Sequence, residues 1–300
     1  MTAPSKLYDV IYVGNYTKDT LITPDGTSYV DGGGMNYAAN AGYRLGIRAA
    51  VVTRLAAEDQ HVVENIRAAG IDCYPVYSPT STLMTLEYKT HNVDQRSLYV
   101  KSTAGTIQPE QLDGLETHAI AVSPSLRGEV EPEFFITIRR RSGVMLSADV
   151  QGFVRVLRGE SLVYEPWPDM ERVLPHLDIL KTDAVEAQYL TGESDIEKAA
   201  SIFASLGARE IILTHSEGVL IHAEGKFHHY PFHCRSMVGR SGRGDTCMGS
   251  YVAKRLSLSP RESGKWAAAA TSLKMEKLGP LNRSIDEVKS FIQKYYNHIA

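Results

Sequence analysis

The sequence predicts an α/β protein in which helices flank a doubly wound, mostly parallel β sheet. Two observations predict this fold class: short apolar runs typical of buried strands alternate with helical segments, and the last third of the chain is helical. Alternating strands and helices form βαβ units, which build a parallel sheet covered on both faces. With 300 residues, of which 43% are hydrophobic, the chain can form one such core. We therefore expect a single domain over residues 1–300.

Each strand of the main sheet is predicted from a short apolar or β-branched run. In chain order these strands are residues 8–13, 49–53, 119–122, 144–148, 177–181 and 210–214, followed by an antiparallel hairpin at 219–222 and 226–230. The helices are predicted from apolar spacing and from the glycines that open or end them. They are a helix from the glycines at 32–34 to about 45, then residues 59–69, 132–140, 184–190, 196–206, 245–256, 263–277 and 285–296.

Two pairs of short extended segments lie outside this alternation. The first pair falls within residues 15–31 and is joined by Asp25-Gly26, a dipeptide that between β-prone runs is a hairpin signal. The second pair falls within residues 82–101 and flanks a polar turn at 91–95. We expect these lid segments to form a small β sheet over one edge of the main sheet. Such a lid would exclude water from a reaction at that edge.

Charge and composition exclude several classes of protein. The net charge is −3, so the chain lacks the concentrated basic surface that a nucleic acid partner needs. No apolar run approaches the roughly 18 residues of a membrane helix, and the first six residues lack the features of a secretory signal. Cys73, Cys234 and Cys247 are odd in number and have no C-x-x-C spacing, which argues against disulfides and a zinc site. We expect a cytoplasmic protein with neither a nucleic acid nor a membrane partner.

The segment Val238–Thr246 contains the strongest candidate site. Gly242 and Gly244 precede a helix that is predicted to begin at about Asp245. Glycines before a helix let backbone N–H groups converge, and the helix start adds partial positive charge, so the turn can stabilise a phosphoryl group in transfer. Asp245 at its edge can accept a proton from an attacking hydroxyl. A simple helix cap explains this aspartate equally well.

Two common nucleotide-binding motifs are absent from the sequence. No G-x-x-x-x-G-K-[ST] occurs, which argues against a P-loop kinase. No G-x-G-x-x-G occurs either, because its last position is Tyr37 after Gly32 and Cys247 after Gly242. This argues against a Rossmann dehydrogenase.

Three further groups of residues are candidates for ligand contacts. The glycines at 32–34 allow close approach of a ligand, and Asp19 can accept hydrogen bonds from paired hydroxyls of a polyol. Asp183 and Glu186, three apart at a helix start, can hold Mg²⁺ through its waters. Thr214–Gly218, at the end of a strand, can contact phosphates or ribose. Each group also has a structural alternative. The glycines at 32–34 could serve close packing of a helix on the sheet, the two carboxylates could be partners of the helix dipole, and Thr214–Gly218 could be a plain β-turn.

These features, in their order along the chain, resemble the PfkB, or ribokinase-like, family of carbohydrate kinases. Gly242–Asp245 is similar to the family's G-A-G-D signature, and Asp183–Glu186 to its N-x-x-E motif. The segment Gly32–Gly46 resembles its N-terminal signature and Thr214–Gly218 its T-x-G nucleotide segment. The resemblance covers nearly the whole chain. It implies a ribokinase-like fold, ATP as donor, Mg²⁺, a small polyol or sugar as acceptor, and a homodimer through the lid.

The resemblance also implies a role for individual residues. The catalytic group would be Asp245 as base with Gly242, Arg243 and Gly244. The substrate-binding residues would be Asp19, Gly33, Gly34, Asn36, Gln151 and Arg155. A turn with structural hydrogen bonds explains Gln151 and Arg155 equally well. The nucleotide-binding residues would be Thr214, Ser216, Gly218 and Ala270. The metal ligands would be Asp183 and Glu186.

The sequence departs from the family pattern at several positions. Gly239-Arg240 stands where the family has Asp-Thr, Arg243 replaces an alanine, and Ser216 replaces the T-x-G glycine. These departures keep the base and its glycines but argue against ribokinase itself. The segment 146–155 is most similar to inositol-kinase-like members. We therefore expect a sugar or cyclitol kinase, the alternatives being a nucleoside kinase on the same fold and a ligand-binding protein without turnover.

Overall fold

Nine strands form the main sheet of the computed structural model, which describes residues 6–90, 96–141 and 143–297. The strands in both sheets are β1 (Leu7–Val13), β2 (Thr17–Thr23), β3 (Gly26–Asp31), β4 (Ala49–Ala56), β5 (Asp72–Ser78), β6 (Thr82–Glu87), β7 (Ser97–Ser102), β8 (Glu116–Val122), β9 (Met145–Asp149), β10 (Arg155–Arg158), β11 (Ser161–Tyr164), β12 (Ile179–Asp183), β13 (Glu210–Thr214), β14 (Gly218–Ala223) and β15 (Lys226–Pro231). The helices are α1 (Gly34–Arg44), α2 (Gln60–Ala68), α3 (Pro132–Arg141), α4 (Gln151–Val154), α5 (Met170–Val173), α6 (Ala184–Thr191), α7 (Ile196–Ser205), α8 (Arg243–Arg255), α9 (Pro260–Met275) and α10 (Ile285–Tyr295).

The main sheet has the strand order β15-β14-β13-β12-β9-β8-β1-β4-β5. All neighbours from β13 to β5 are parallel, whereas β14 and β15 form the antiparallel hairpin that the sequence predicts. At the centre, Val13 of β1 pairs with Val52 on one side and Val122 on the other. Near-continuous apolar runs of this kind are typical of parallel strands that helices cover on both faces.

Helices pack on both faces of the main sheet, as the predicted doubly wound architecture requires. Successive side chains of β1 alternate between two buried clusters: Val10 and Tyr12 join one, and Ile11 and Val13 the other. The first cluster includes residues of α1, α2, α8, α9 and α10, and the second residues of α3, α6 and α7. The structure therefore confirms the α/β fold class.

Six strands form a second sheet, here called the lid sheet, in the order β10-β11-β7-β6-β2-β3. Both predicted lid segments contribute to it, and β2 pairs in parallel with β6. β10 and β11 are not predicted from the sequence, because runs of four residues are too short to show a period. The predicted turn at 91–95 lies outside the described residues.

Two further sequence predictions concern the membrane and the cysteines. No helix within the described ranges is long and apolar enough to cross a membrane. The three cysteines carry free thiols, and Cys73 and Cys247 are buried. Burial raises the pKa of both buried thiols to about 12, so they remain protonated near neutral pH.

Candidate active site

The candidate site lies where the carboxyl ends of the central strands face the lid sheet. Parallel strands end at the same edge of a sheet, and ligands collect there. β9 ends at Asp149, β12 at Asp183 and β13 at Thr214. The start of α8 contributes the predicted glycine turn to the same edge, since its residues line a cavity together with Asp183 and Thr214.

The glycine turn includes the residue before α8 and the first residues of the helix, and it depends on glycine at two positions. Gly242 precedes the helix with a φ of 77°, a left-handed conformation that favours glycine. A Cβ atom at Gly242 would overlap the Tyr37 ring, and one at Gly244 would overlap the ammonium group of Lys181. The turn is therefore packed between an aromatic ring and a buried cation. This packing restricts the conformation of the backbone there.

Asp245 lies in the first turn of α8. Its Oδ1 atom is so close to Gly34 that a Cβ atom there would overlap it. The side-chain amide of Gln151 donates to the same oxygen at 3.4 Å. Because Gly34 has no Cβ atom, the Asp245 carboxylate has room at this position, and Gln151 helps to orient it.

Burial is the largest cause of an upward shift in the pKa of Asp245. The carboxylate of Asp149 adds to the shift, whereas the positive charges of Lys181 and Arg155 oppose it. Lys181 itself pairs with Asp149 at 3.0 Å, and both side chains are buried. A raised pKa makes a carboxylate a stronger base once it is ionised. This electrostatic setting therefore suits proton abstraction.

A small cavity, here called the basic cavity, opens in front of the glycine turn, with a volume of about 80 Å³. Its lining contains five basic and two acidic side chains together with the turn itself. The lining residues are Arg96, Gln151, Arg155, Lys181, Asp183, Thr214, Arg240, Ser241, Gly242, Arg243, Gly244 and Asp245. An excess of cations beside the N-terminal end of α8 favours a compact polyanion.

A second cavity of about 70 Å³, here called the lid cavity, lies under the lid sheet. It brings together most of the predicted substrate-binding residues with apolar side chains of the lid. The lining residues are Thr17, Asp19, Gly33, Gly34, Tyr37, Met84, Leu86, Arg96, Leu98, Ser125, Gln151, Arg155, Ser241, Gly242 and Asp245. Asp245 therefore lines both cavities.

Asp19 has the strongest sign of a ligand contact within the lid cavity. Its Oδ1 atom is buried with no hydrogen-bond partner in this structure. Burial raises the pKa of Asp19 to about 7, against a lowering hydrogen bond from Thr17. A buried carboxylate oxygen that lacks a partner is costly, and a hydroxyl of a bound ligand would satisfy it.

Asn36 is the predicted substrate-binding residue that the structure places outside the lid cavity. Its side-chain amide donates to the carbonyl of Asp31 at 3.4 Å, and its side-chain oxygen accepts from Asn40 at 2.8 Å. The side chain of Asn36 therefore makes hydrogen bonds within the chain at the start of α1 and does not point into the lid cavity.

The predicted metal ligands form a capping box at the start of α6. Asp183 Oδ1 accepts from the backbone N–H of Glu186 at 2.8 Å, and Glu186 accepts from the backbone N–H of Asp183 at 3.0 Å. Glu186 is fully buried and contacts Arg155 at 3.4 Å, and burial followed by the charge of Asp183 raises the pKa of Glu186 to about 7. Of the pair, Asp183 alone lines the basic cavity. Direct coordination by Glu186 therefore does not fit this conformation.

Metal coordination at this site would rest on few protein ligands. Within the described ranges, no group of three or more His, Cys, Asp or Glu side chains is arranged to hold a metal ion. Mg²⁺ commonly keeps several waters and uses one or two carboxylates together with substrate phosphates. Asp183, at the wall of the basic cavity, fits that mode.

The predicted nucleotide-binding residues do not line one cavity together. Thr214 lines the basic cavity, and Ser216 is exposed in the following turn. Gly218 is buried, and a Cβ atom there would overlap the backbone of Tyr230. Close packing is therefore enough to explain why this residue is a glycine. Ala270 is fully buried in the core and offers no surface to a nucleotide in this conformation.

Of the five basic side chains that give the site its charge, Arg155 and Arg243 were predicted as site residues from the sequence and the other three were not. Lys181 ends a predicted strand, and the rule that ligands collect at carboxyl ends of strands could have singled it out. Arg240 was recognised only as a departure from a motif. Arg96, from the lid, and Asp149, the partner of Lys181, join the site through tertiary packing that no local pattern shows.

Comparisons with known proteins confirm the family resemblance. A family model described as pfkB family carbohydrate kinase matches residues 5–287. The solved structure of a pyrophosphate-dependent kinase in the ribokinase family, complexed with a pyrophosphate analog and myo-inositol, is 32% identical, covers 93% of this chain and 99% of its own, and has a TM-score of 0.86. Ribokinase from Arabidopsis thaliana, complexed with ribose and ATP, is 18% identical, covers 96% and 99%, and has a TM-score of 0.77, which shows a shared fold. A cytidine kinase from Thermococcus kodakarensis is 23% identical over 262 residues, 82% of this chain and 88% of that protein. The chain therefore belongs to the pfkB family of carbohydrate kinases and is a phosphotransferase.

Proposed function

We propose that this kinase transfers a phosphoryl group to a hydroxyl of a cyclitol or small sugar, with Asp245 as the catalytic base. The observation that supports this most strongly is the position of Asp245, which lines both the lid cavity and the basic cavity. An acceptor hydroxyl in the first and a donor phosphate in the second would meet at its carboxylate. In-line placement of this kind supplies much of the catalysis in phosphoryl transfer.

The lining of the lid cavity suits a saturated ring that carries several hydroxyls. The carboxylate of Asp19 can accept hydrogen bonds from two hydroxyls, and Gln151 can donate one. On the lid side, Met84 of β6 and Leu98 of β7 provide apolar surface for the C–H face of a ring. A cyclitol such as myo-inositol presents both kinds of surface. The 32% identity to a kinase complexed with myo-inositol supports this acceptor class.

The chain's own groups account for the movement of proton and charge. Asp245 takes the proton of the attacking hydroxyl as that oxygen bonds to the transferring phosphorus. The backbone N–H groups at the start of α8 and the positive end of the helix stabilise the negative charge on the phosphoryl oxygens. Lys181, packed under Gly244, adds positive charge at the same point. Mg²⁺ at Asp183 would further neutralise the donor phosphates.

Within this function we propose inorganic pyrophosphate as the preferred donor, with ATP, which the family resemblance implies, as the alternative. The basic cavity is small, at about 80 Å³, and five basic side chains line it, which suits a compact diphosphate. Of the four residues predicted to contact a nucleotide, Thr214 is the one that lines this cavity. The 32% identical solved structure is of a pyrophosphate-dependent kinase, whereas the ribokinase solved with ATP is 18% identical.

A nucleoside kinase on the same fold is the second candidate. The 23% identity to a cytidine kinase supports it. A nucleoside carries a planar base beside its sugar, and that base would have to occupy the neighbouring cavity of about 480 Å³, which shares Asp19, Tyr37 and Ser241 with the lid cavity. The third hypothesis is a ligand-binding protein without turnover. Asp245, Gly242 and Gly244, which such a protein would not need to keep, argue against it.

An assay over a matrix of donors and acceptors tests these proposals. The donors are pyrophosphate and ATP, the acceptors are myo-inositol, ribose, fructose and cytidine, and the product is identified by phosphorus NMR and mass spectrometry. We expect phosphorylated myo-inositol to form fastest, with pyrophosphate as donor. Preferred transfer to cytidine would establish the nucleoside kinase instead, and binding of acceptors without any product would establish the ligand-binding protein.

A pair of arginine variants tests the donor assignment separately. Arg243→Ala removes one cation from the basic cavity and should raise the KM for pyrophosphate by roughly 10-fold or more, because charge-assisted hydrogen bonds contribute about 1.5–3 kcal/mol. Arg209→Ala is the matched control, since its side chain is 77% exposed and lies at the opposite end of β13. Equal KM values in the two variants would contradict the assignment of this cavity to the donor.

We also propose, from the family resemblance, that two chains associate through their lid sheets. β3 is one of the two edge strands of the lid sheet, and its Tyr29 is 79% exposed. An edge strand presents backbone groups that can pair with another chain. A mass in solution of twice 33.1 kDa would support this dimer, and a mass of 33.1 kDa at micromolar concentration would exclude it.

A further inference from the structure

Lys274 is a buried cation next to the active site with no role in the phosphoryl transfer described above. It lies in the last turn of α9, and its side chain is 3% exposed. Its ammonium group donates to the backbone carbonyl oxygen of Gly239 at 2.5 Å and to that of Ser241. Burying a charge is costly unless the charge is well hydrogen-bonded, and these two bonds offset that cost. The burial of a lysine at this position therefore calls for a functional explanation.

We propose that Lys274 is a positioning residue whose ammonium group holds the turn at residues 239–242 in the arrangement that binds the transferring phosphoryl group. Two carbonyl oxygens directed at one point repel each other unless a positive charge lies between them. The ammonium group of Lys274 supplies that charge. Without it, the carbonyls of Gly239 and Ser241 would turn away and carry the following residues with them.

Other contacts show that this turn is held from the side of α9. The backbone N–H groups of Val238 and Gly239 both donate to the carbonyl oxygen of Met275, at 3.0 and 2.9 Å. A Cβ atom at Gly239 would overlap the carbonyl oxygen of Lys277. The end of α9 is thus the support on which the turn rests, and Lys274 is its charged part.

The turn continues directly into the groups that face the substrates. Ser241, whose carbonyl accepts from Lys274, and the adjacent Gly242 line both the basic cavity and the lid cavity. Gly242 packs on the ring of Tyr37, and the ammonium group of Lys274 lies 5.2 Å from the centroid of the same ring. A shift of this turn would move the N–H groups at the start of α8 away from the phosphoryl oxygens.

Lys274 also borders a third cavity, of about 480 Å³, between the lid sheet and the turn. Leu21, Tyr29, Val238 and Leu278 are among its lining residues. A small cation can therefore reach the space that a truncated Lys274 side chain would leave. This gives the proposal a test by chemical rescue.

Two substitutions separate the charge of Lys274 from its bulk. Lys274→Met keeps most of the volume without the charge, and Lys274→Ala also opens a space for an added cation. We expect both variants to lose kcat by about 100-fold, the loss typical of a misplacement of about 1 Å, with the acceptor KM changed less than about 3-fold. Ammonium chloride at 0.1–0.5 M, compared with sodium chloride at equal ionic strength, should restore at least about a tenth of the kcat of Lys274→Ala, because ammonium can replace the lost charge, and leave Lys274→Met unchanged. Lys277→Ala, an exposed neighbour, is the matched control and should keep wild-type kcat.

The inference rests on the proposed function, and the outcomes distinguish the two. If the wild type turns over and Asp245→Asn does not, wild-type kcat in Lys274→Met overturns the role of Lys274 alone. The role is also overturned if Lys274→Ala loses kcat to a similar extent and its kcat is the same in ammonium chloride and sodium chloride. Truncation of a purely structural side chain would give that result. If the wild type shows no turnover with any donor, titration calorimetry with inorganic pyrophosphate is the readout: roughly 10-fold weaker binding to Lys274→Ala that ammonium restores supports the role, and unchanged binding overturns it.

Discussion

Adding one methyl group at Gly34 should disable the kinase while leaving its fold intact. In the structure, a Cβ atom at this position would overlap Oδ1 of Asp245 and lie 2.7 Å from Cβ of Ser123. Ordinary contact needs about 3.5–4.0 Å between carbon atoms, so the carboxylate and its neighbours must move by roughly 1 Å. A misplacement of about 1 Å can cost about 100-fold in rate. We therefore expect Gly34→Ala to lower kcat by about 100-fold.

The effect of this substitution on stability should be small by comparison. Gly34 is the first residue of α1, where alanine gains up to about 1 kcal/mol in helix propensity. The overlap costs about 1–3 kcal/mol, so the two effects partly cancel. The measurements are kcat with the best donor and acceptor pair and the midpoint of urea unfolding. Gly143→Ala is the control, because a Cβ atom there meets nothing within 4 Å. A kcat for Gly34→Ala within 3-fold of wild type would refute the placement of Asp245.

Three further predictions follow from buried carboxylates. Because burial and Asp149 raise the pKa of Asp245, kcat should fall with decreasing pH through a value above the usual aspartate pKa of about 3.9, as a pH–rate profile would show. Asp19→Asn should raise the acceptor KM by about 10- to 100-fold and leave the donor KM unchanged, since a hydrogen bond to a charged group contributes about 1.5–3 kcal/mol. Burial raises the pKa of Glu129 to about 7, so the folded state binds its proton more tightly than the unfolded state and stability falls as pH rises from about 4.5 to 7. Glu129→Gln should remove part of that loss, up to about 3 kcal/mol by proton linkage, in unfolding midpoints measured from pH 5 to 8.

The sequence predicts the fold best where burial leaves a continuous apolar pattern. β1 is such a strand, because it is buried on both faces and its apolar run shows this directly. β5 was missed, since it begins at Asp72 and contains Pro75, and both residue types are depleted in strands. β5 can hold a proline because it is an edge strand, and an edge position depends on strand order that a local pattern does not record.

The residues of the candidate site also differ in whether a local sequence pattern is enough to predict them. Asp245 and its glycines are contiguous in sequence and have a local structural reason, so a motif is enough to find them. The role of Lys181 depends on β12 lying beside β9, where its ammonium group pairs with Asp149. The spacing of Asp183 and Glu186 fits both a metal site and a capping box, and the structure shows the capping box. Local spacing alone could not distinguish these two uses of the same pair.

The most direct test of the account is the turnover of Asp245→Asn. The variant keeps the shape of the side chain and removes its capacity to take a proton. With the donor and acceptor that the wild type uses best, we predict a fall in kcat of about 1000-fold, within the range usual for loss of a general base, and pyrophosphate binding within about 3-fold of wild type. Turnover close to that of the wild type would contradict the assignment of Asp245 as the catalytic base.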